Sequence, residues 1–352
     1  MADFDVSKPW VILIPAKTGP AKRGAEELSR IIDLLRRQAG LSLPSPGIID
    51  DSQPGPATDV PEILLNCSAA DSSDPVSKNG FAWRTGTNRI EIYGNSPRGL
   101  CNGLFNFLAA LGFRWPEPGK EEIPRATPGI LSYPLAEASA LRTDTEDPAL
   151  RKRLLLTRRK NREAVLIWAA RNCFDALVVP VRKLPLPRDR SLFDLAAQYA
   201  LDIELSRELS SLISRKLFFF RRELFRMEEG RRKKEGLFCV TNPNTITLIQ
   251  KNAARLFSKT EVTIFHLWPS LTKKTHWCSC PSCRAFSPEE QNRIAINAAA
   301  DSLIKINPLA RLSFYEPRSE TTEQNNTLEQ RGYIAPRPNT FRLNNLPEAY
   351  HQ

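Results

Sequence analysis

The sequence predicts an α/β protein in two parts: a small N-terminal α/β domain over residues 1–130 and a larger domain over 131–352 in which strands and helices alternate. Three observations carry this. Short β-branched or aromatic runs of strand length recur at 10–15, 62–67, 89–93, 175–181, 262–268 and 310–316. Amphipathic helices with clear caps separate many of them. A Pro-rich stretch around 125–136 marks a break between the two parts. Alternation at this spacing implies parallel pairing, in either an open doubly wound sheet or a (β/α)8 barrel. The second part offers five or six strands, fewer than the eight of a complete barrel.

In chain order, Trp10-Val11-Ile12-Leu13-Ile14-Pro15 reads as a strand. Residues 21–38 read as a helix with Leu28, Ile31, Ile32 and Leu35 on one face and Gly40 at its end. A loop with a short strand at 47–49 follows, then strands at 62–67, 81–84 and 89–93, the last two joined by a turn at 85–88. Ser96-Pro97 caps a helix whose Leu100, Leu104, Phe107, Leu108 and Leu111 face the sheet, and Gly112 closes it.

In the second part a strand is expected at 139–142, a long basic helix from Asp147 to Ala170, a strand at 175–181, a helix at 192–199 and a strand at 201–205. A basic excursion over 206–236 interrupts the rhythm, and Asn242-Pro243 then caps a helix to about Phe257. Residues 261–317 form the centre of the chain. A strand at 262–268 leads into a cysteine-rich loop. Ser287-Pro288-Glu289-Glu290 opens a helix with a capping box, Asn307-Pro308 stops it near Ile306, and a strand at 310–316 ends in Glu316. A last extended piece is expected at 339–343.

Composition sets outer bounds. The chain has 352 residues, 41% of them hydrophobic and 25% charged, ordinary for a globular protein with a core. Its start lacks the basic-then-apolar build of a secretory signal, and no apolar run approaches the roughly 20 residues that span a membrane. A cytoplasmic protein without membrane contact is expected. Seven cysteines, four of them scattered singly, suit a reducing compartment better than a disulfide framework. The net charge of +11 favours anionic partners. No nucleic-acid-binding motif accompanies the basic runs, so they read as solvated faces and nucleic acid is not an expected partner.

Cys278-x-Cys280-x-x-Cys283 is the most specific chemical signal. Three thiolates in six residues could hold a structural zinc ion, with His276 or Cys239 completing a tetrahedron. A folded loop of reduced thiols and a redox pair at Cys280 and Cys283 are the alternatives.

Two stretches resemble known proteins. Ile90-Glu91-Ile92-Tyr93-Gly94-Asn95-Ser96-Pro97-Arg98-Gly99-Leu100, running on to Trp115, is similar to the end of the small α/β domain that precedes the barrel in α-glucuronidases and family-20 β-hexosaminidases. Residues 168–172, 223–231, 238–243 and 277–283 resemble an uncharacterised family of glycosidase-like proteins with that same N-terminal domain. Together they cover most of 80–320. The resemblance implies a small α/β sandwich domain followed by a (β/α)8 barrel, here incomplete, with its site at the C-terminal strand ends. It implies no substrate. The chain departs from the pattern at Trp268-Pro269-Ser270-Leu271, where relatives usually carry a carboxylate, and relatives generally continue past the point where this chain stops.

Glycoside hydrolysis normally needs two carboxyl groups. At strand ends these would be Glu316, as general acid or base, and Asp144, with Glu204 a weaker choice because it could face solvent. Arg142, Arg207 and His266 could bind the carboxylate or hydroxyls of a sugar, and Trp268 and Trp277 could stack on its ring. Each has a simpler reading, a salt bridge to an arginine for Glu316 and packing for Trp268 and above all for His266. The expectation is a glycoside-hydrolase-like protein acting on or binding a carbohydrate, an acidic glycan among the candidates, with no required cofactor. A catalytically inactive binding or interaction protein is the alternative.

Overall fold

The computed structural model describes residues 2–14, 19–50, 60–67, 80–86, 88–124, 132–135, 151–156, 161–181, 190–258, 262–268, 277–314 and 340–342. By internal contacts the chain forms two compact units, Met1–Leu177 with Arg188–Asp202, and Val178–Pro187 with Ile203–Gln352.

The first unit opens with β1 (Ala2–Asp5), β2 (Val11–Ile14), α1 (Gly19–Gln38), β3 (Gly47–Asp50), β4 (Glu62–Asn66), β5 (Phe81–Thr85), β6 (Arg89–Gly94) and α2 (Pro97–Ala110). It continues with β7 (Ser132–Leu135), β8 (Arg153–Leu155), α3 (Arg162–Arg171), the start of β9 (Ala176–Pro180) and α4 (Arg190–Gln198). Five strands form a sheet in the order β3-β2-β4-β6-β5, with β5 antiparallel to β6 and the other pairs parallel. A separate antiparallel ribbon pairs β1 with β7. The apolar stripe expected on α1 is buried at Leu28, Ile31, Ile32 and Leu35. Ser96 caps α2 through a hydrogen bond from Gly99 N (3.0 Å). Trp83 and Phe4 both meet the Phe107 ring edge-on, at 5.5 and 6.0 Å.

Gly94 lies where β6 turns straight into α2. A Cβ there would stand 1.9 Å from Leu100 N and 2.5 Å from Gly99 C, a clash with backbone that no rotamer relieves. Gly94→Ala should therefore cost about 3 kcal/mol or more. Urea unfolding would show this as a lowered midpoint, and an unchanged midpoint would contradict it.

The long basic helix expected from Asp147 is not formed as such. Residues 153–155 are strand β8, and α3 begins only after Asn161, whose φ of 58° is left-handed. The reason is local. Lys152 N donates to Asp175 Oδ2 (2.6 Å), and Asp175 N donates to Lys152 O (2.8 Å), which ties this stretch to the start of β9. The expected strand at 139–142 lies outside the described residues.

Buried charges knit the first unit together. Glu27 of α1 accepts from Arg30 (3.0 Å), Arg171 at the end of α3 (3.1 Å) and Tyr199 Oη after α4 (3.0 Å). Arg98 of α2, also buried, donates to the carbonyls of Ala170, Phe174 and Tyr199, at or just past the ends of α3 and α4. A cation suits that position because helix C-termini carry partial negative charge.

The second unit holds the rest of β9, β10 (Asp202–Glu208), the two-residue strands β11 (Met227–Glu228) and β12 (Arg231–Arg232), α5 (Pro243–Phe257), β13 (Ile264–Trp268), α6 (Pro288–Ile306), β14 (Arg311–Phe314) and β15 (Thr340–Arg342). Strands β9, β10, β13, β14 and β15 lie side by side in chain order. The pairs β10–β13, β13–β14 and β14–β15 are all parallel. Strand β13 is buried along its whole length, as expected of a parallel sheet covered on both faces. Helix α5 packs against α6 and meets the sheet through Phe257, whose ring lies edge-on to Phe265 at 4.7 Å. The basic excursion forms three 3-10 turns and the β11–β12 hairpin. No described helix is long and apolar enough to cross a membrane.

Candidate functional site

Side chains alternate along a strand, and residues paired across parallel strands share a face. In the second unit the register places Ser206, His266 and Ser313 side by side. Glu204 lies two residues before Ser206, and Trp268 two after His266, on that same face. The opposite face carries Leu205, Phe265, Leu267, Leu312 and Phe314, and Phe265 there meets α5. The sheet thus presents an apolar face to the helices and a polar row on its other side.

That row is buried. Glu204 is 1% exposed, and His266, Ser206 and Ser313 no more than 2%. Glu204 Oε2 and His266 Nε2 are 2.7 Å apart, a short hydrogen bond between neighbouring strands. The Trp268 ring leans over His266 at 5.3 Å. Ser313 Oγ makes no hydrogen bond among the described residues. Glu204, a weaker catalytic candidate in the sequence because it could face solvent, is buried.

A second constellation lies in the loops that follow β10 and β13. Cys239, Cys278, Cys280 and Cys283, all buried, have their sulfurs within 4.8 Å of one another. Cys239 Sγ is 3.7 Å from Cys280 Sγ and 3.8 Å from Cys283 Sγ. Cys239 lies just past the excursion, where its backbone N–H bonds Leu224 O (2.9 Å) and Asn242 caps α5. The other three come from the loop before α6. That loop is held by the capping box of Ser287 and Glu290 and by Gln291, whose amide bonds Cys278 N (3.1 Å), Cys278 O (3.1 Å) and Phe286 O (3.2 Å). Hydrogen bonds with Cys278 and Cys283 draw the Cys239 thiol well down from its ordinary value, and the same sharing pushes Cys283 up.

Around the sulfurs stand donors. Met227 N lies 3.2 Å from Cys278 Sγ, Thr241 Oγ1 3.2 Å from Cys283 Sγ, and Arg232 Nη1 3.9 Å from Cys278 Sγ.

No protein-family model matches the sequence, and no curated protein matches it. Solved structures do share its architecture. The chitobiase of Flavobacterium johnsoniae superposes with a TM-score of 0.57 at 12% identity, over 89% of this chain and 50% of that one. The GH20 β-N-acetylhexosaminidase of Streptomyces coelicolor gives 0.55 at 13% identity, over 99% and 68%. A mutant β-hexosaminidase of Streptomyces plicatus gives 0.54 at 14%, over 89% and 62%. At these identities the likeness is one of fold. The chain spans about half the length of the chitobiase.

Of the residues singled out in the sequence, the structure brings His266 and Trp268 together in the polar row. Arg207 lies one residue along from Ser206, on the other face. Its guanidinium bonds Ser211 Oγ (2.8 Å), and burial lowers its pKa from the ordinary arginine value. Trp277 stands edge-on to Phe238 at 6.5 Å, beside the cysteines. Glu316, Asp144, Arg142 and His276 lie outside the described residues. Gln291 was missed altogether, since a glutamine inside a helix carries no signal until its neighbours are known.

Proposed function

We propose that this chain is a glycoside-hydrolase-like protein that binds a carbohydrate through the second unit. In this proposal residues 1–130 form the small N-terminal domain and 131–352 an incomplete (β/α)8 barrel. The polar row carries the proposal. The inward face of such a barrel is ordinarily filled with bulky branched apolar side chains, and in this proposal the buried Glu204, Ser206, His266 and Ser313 stand on that face. Carboxylate, imidazole and hydroxyl groups are of the kind that hydrogen-bond the hydroxyls of a sugar. Strand order running in one direction with parallel pairing supports a barrel over a doubly wound sheet, whose order reverses at a switch point. The GH20 neighbours support a sugar as ligand.

Within this function Glu316, two residues past the end of β14, and Asp144 are the carboxylates we assign to catalysis. Arg142 is assigned to an acidic sugar, and Trp268 and Trp277 to the ring.

The test is a panel of 4-nitrophenyl glycosides, including N-acetylhexosaminides and glucuronides, assayed for hydrolysis beside calorimetric titration of the corresponding free sugars. Binding of at least one sugar is expected. Turnover lost in Glu316→Gln would assign the acid or base, and binding without turnover would support the inactive alternative. Absence of both binding and turnover across the panel would overturn the function.

A further inference from the structure

We infer that Cys239, Cys278, Cys280 and Cys283 form a zinc site that clasps the loop after β10 to the loop after β13. The distances argue for it first. Zinc binds thiolates at about 2.3 Å, so a regular tetrahedron of four sulfurs has edges of about 3.8 Å. Cys239 lies 3.7 Å from Cys280 and 3.8 Å from Cys283, and all four sulfurs fall within 4.8 Å. Disulfide-bonded sulfurs are about 2.0 Å apart, and all four cysteines are free thiols. Apolar packing alone has no reason to converge four thiols from two loops on one point.

The surroundings fit the charge. Zinc with four thiolates carries two net negative charges, which need hydrogen-bond donors around the sulfurs. Met227 N, Thr241 Oγ1 and the Arg232 guanidinium supply them. The β11–β12 hairpin is thereby recruited, since Arg232 also donates to Phe225 O (2.6 Å) and Met227 O accepts from Ser279 N (2.8 Å). Gln291 holds the backbone of the three-cysteine loop from behind. Binding displaces the thiol protons to solvent and involves no electron transfer.

The placement gives the site its use. Strands β10 and β13 are parallel neighbours, so the loops leaving their C-terminal ends lie along one edge of the sheet. The segment over 209–242, between β10 and α5, carries little regular structure beyond 3-10 turns and the β11–β12 hairpin. Its Leu209, Leu212, Leu224, Phe225 and Phe238 are buried, and four bonds to one ion pin this packed segment against the loop that bears Trp277. The site does not depend on the carbohydrate function.

The experiment is elemental mass spectrometry on the full chain, purified reduced with zinc and then passed through a weak chelator. About one zinc per chain is expected. Cys239→Ser and Cys283→Ser should lower it at least tenfold, whereas His276→Ala and Cys101→Ser should leave it unchanged. Cobalt-loaded wild type should show the intense visible bands of a tetrahedral tetrathiolate. Should the serine variants misfold, wild type alone decides: modifying its thiols with a mercurial should release the zinc. Folded, reduced wild type that retains no zinc would overturn the site. So would stoichiometric iron instead, a Cys280–Cys283 disulfide in metal-free protein, or zinc lost on changing His276.

Discussion

Glu27→Gln is expected to lower the stability of the first unit by about 3–5 kcal/mol, because it removes one partner from a buried set of charges and leaves the others behind. Glu27 is 5% exposed and stands among Arg30, Arg171 and Tyr199. Burial alone would raise its carboxyl pKa, but Arg171 and Arg30 outweigh burial and hold it below the ordinary 4.5. A folded value below the unfolded one means that the carboxylate stabilises the fold above the unfolded pKa. That contribution is lost as pH falls through the folded value. Urea unfolding at neutral pH and again below pH 4.5 should therefore show the wild-type advantage over Glu27→Gln shrinking in acid. Glu26→Gln is the contrast. Glu26 is exposed and pairs with Arg23 at 3.2 Å, so its loss should change stability by less than about 1 kcal/mol. Equal effects of the two substitutions would contradict the buried network.

The second large effect is expected in the second unit. Glu204→Ala should destabilise it by about 3 kcal/mol, since His266 would keep its buried position but lose the 2.7 Å bond. His266→Ala should do similar damage from the other side. The double variant should be less destabilised than the sum of the two, with a coupling of about 1–3 kcal/mol. Chemical unfolding of the four proteins measures this. Strict additivity would show that the pair is an accident of packing.

Much of the fold was legible because its signals are local. The capping box of Ser287 and Glu290, the Pro at the start of α2, α5 and α6, and the apolar runs of β4, β13 and β14 each depend on a few adjacent residues. Strand β8 was read as helix because three residues are too few to show a period, and a tie to Asp175 decided their conformation.

The candidate site was legible only in part. His266 and Trp268 stood out as residue types, but Glu204 became their neighbour through the register of strands 62 residues apart in sequence, which periodicity does not reveal. For the cysteines the converse holds. Their short spacing announced three candidate ligands, but the choice of Cys239 or His276 as the fourth depended on where the chain returns after the excursion. The four sulfurs converge with Cys239. Glu27, Arg171 and Tyr199 meet across more than 140 residues, and none belongs to a local motif.

The measurement that tests the central claim most directly is a sugar titration followed at the histidine rings. The chain has three histidines, so nitrogen-15 labelling of histidine gives a spectrum that the His266→Gln variant can assign. If the polar row of the second unit is the carbohydrate site, N-acetylglucosamine, chitobiose or a uronic acid should shift the ring signals of His266 in a saturable way. A sugar that binds while His266 stays unmoved, or a panel in which none binds, would contradict the account.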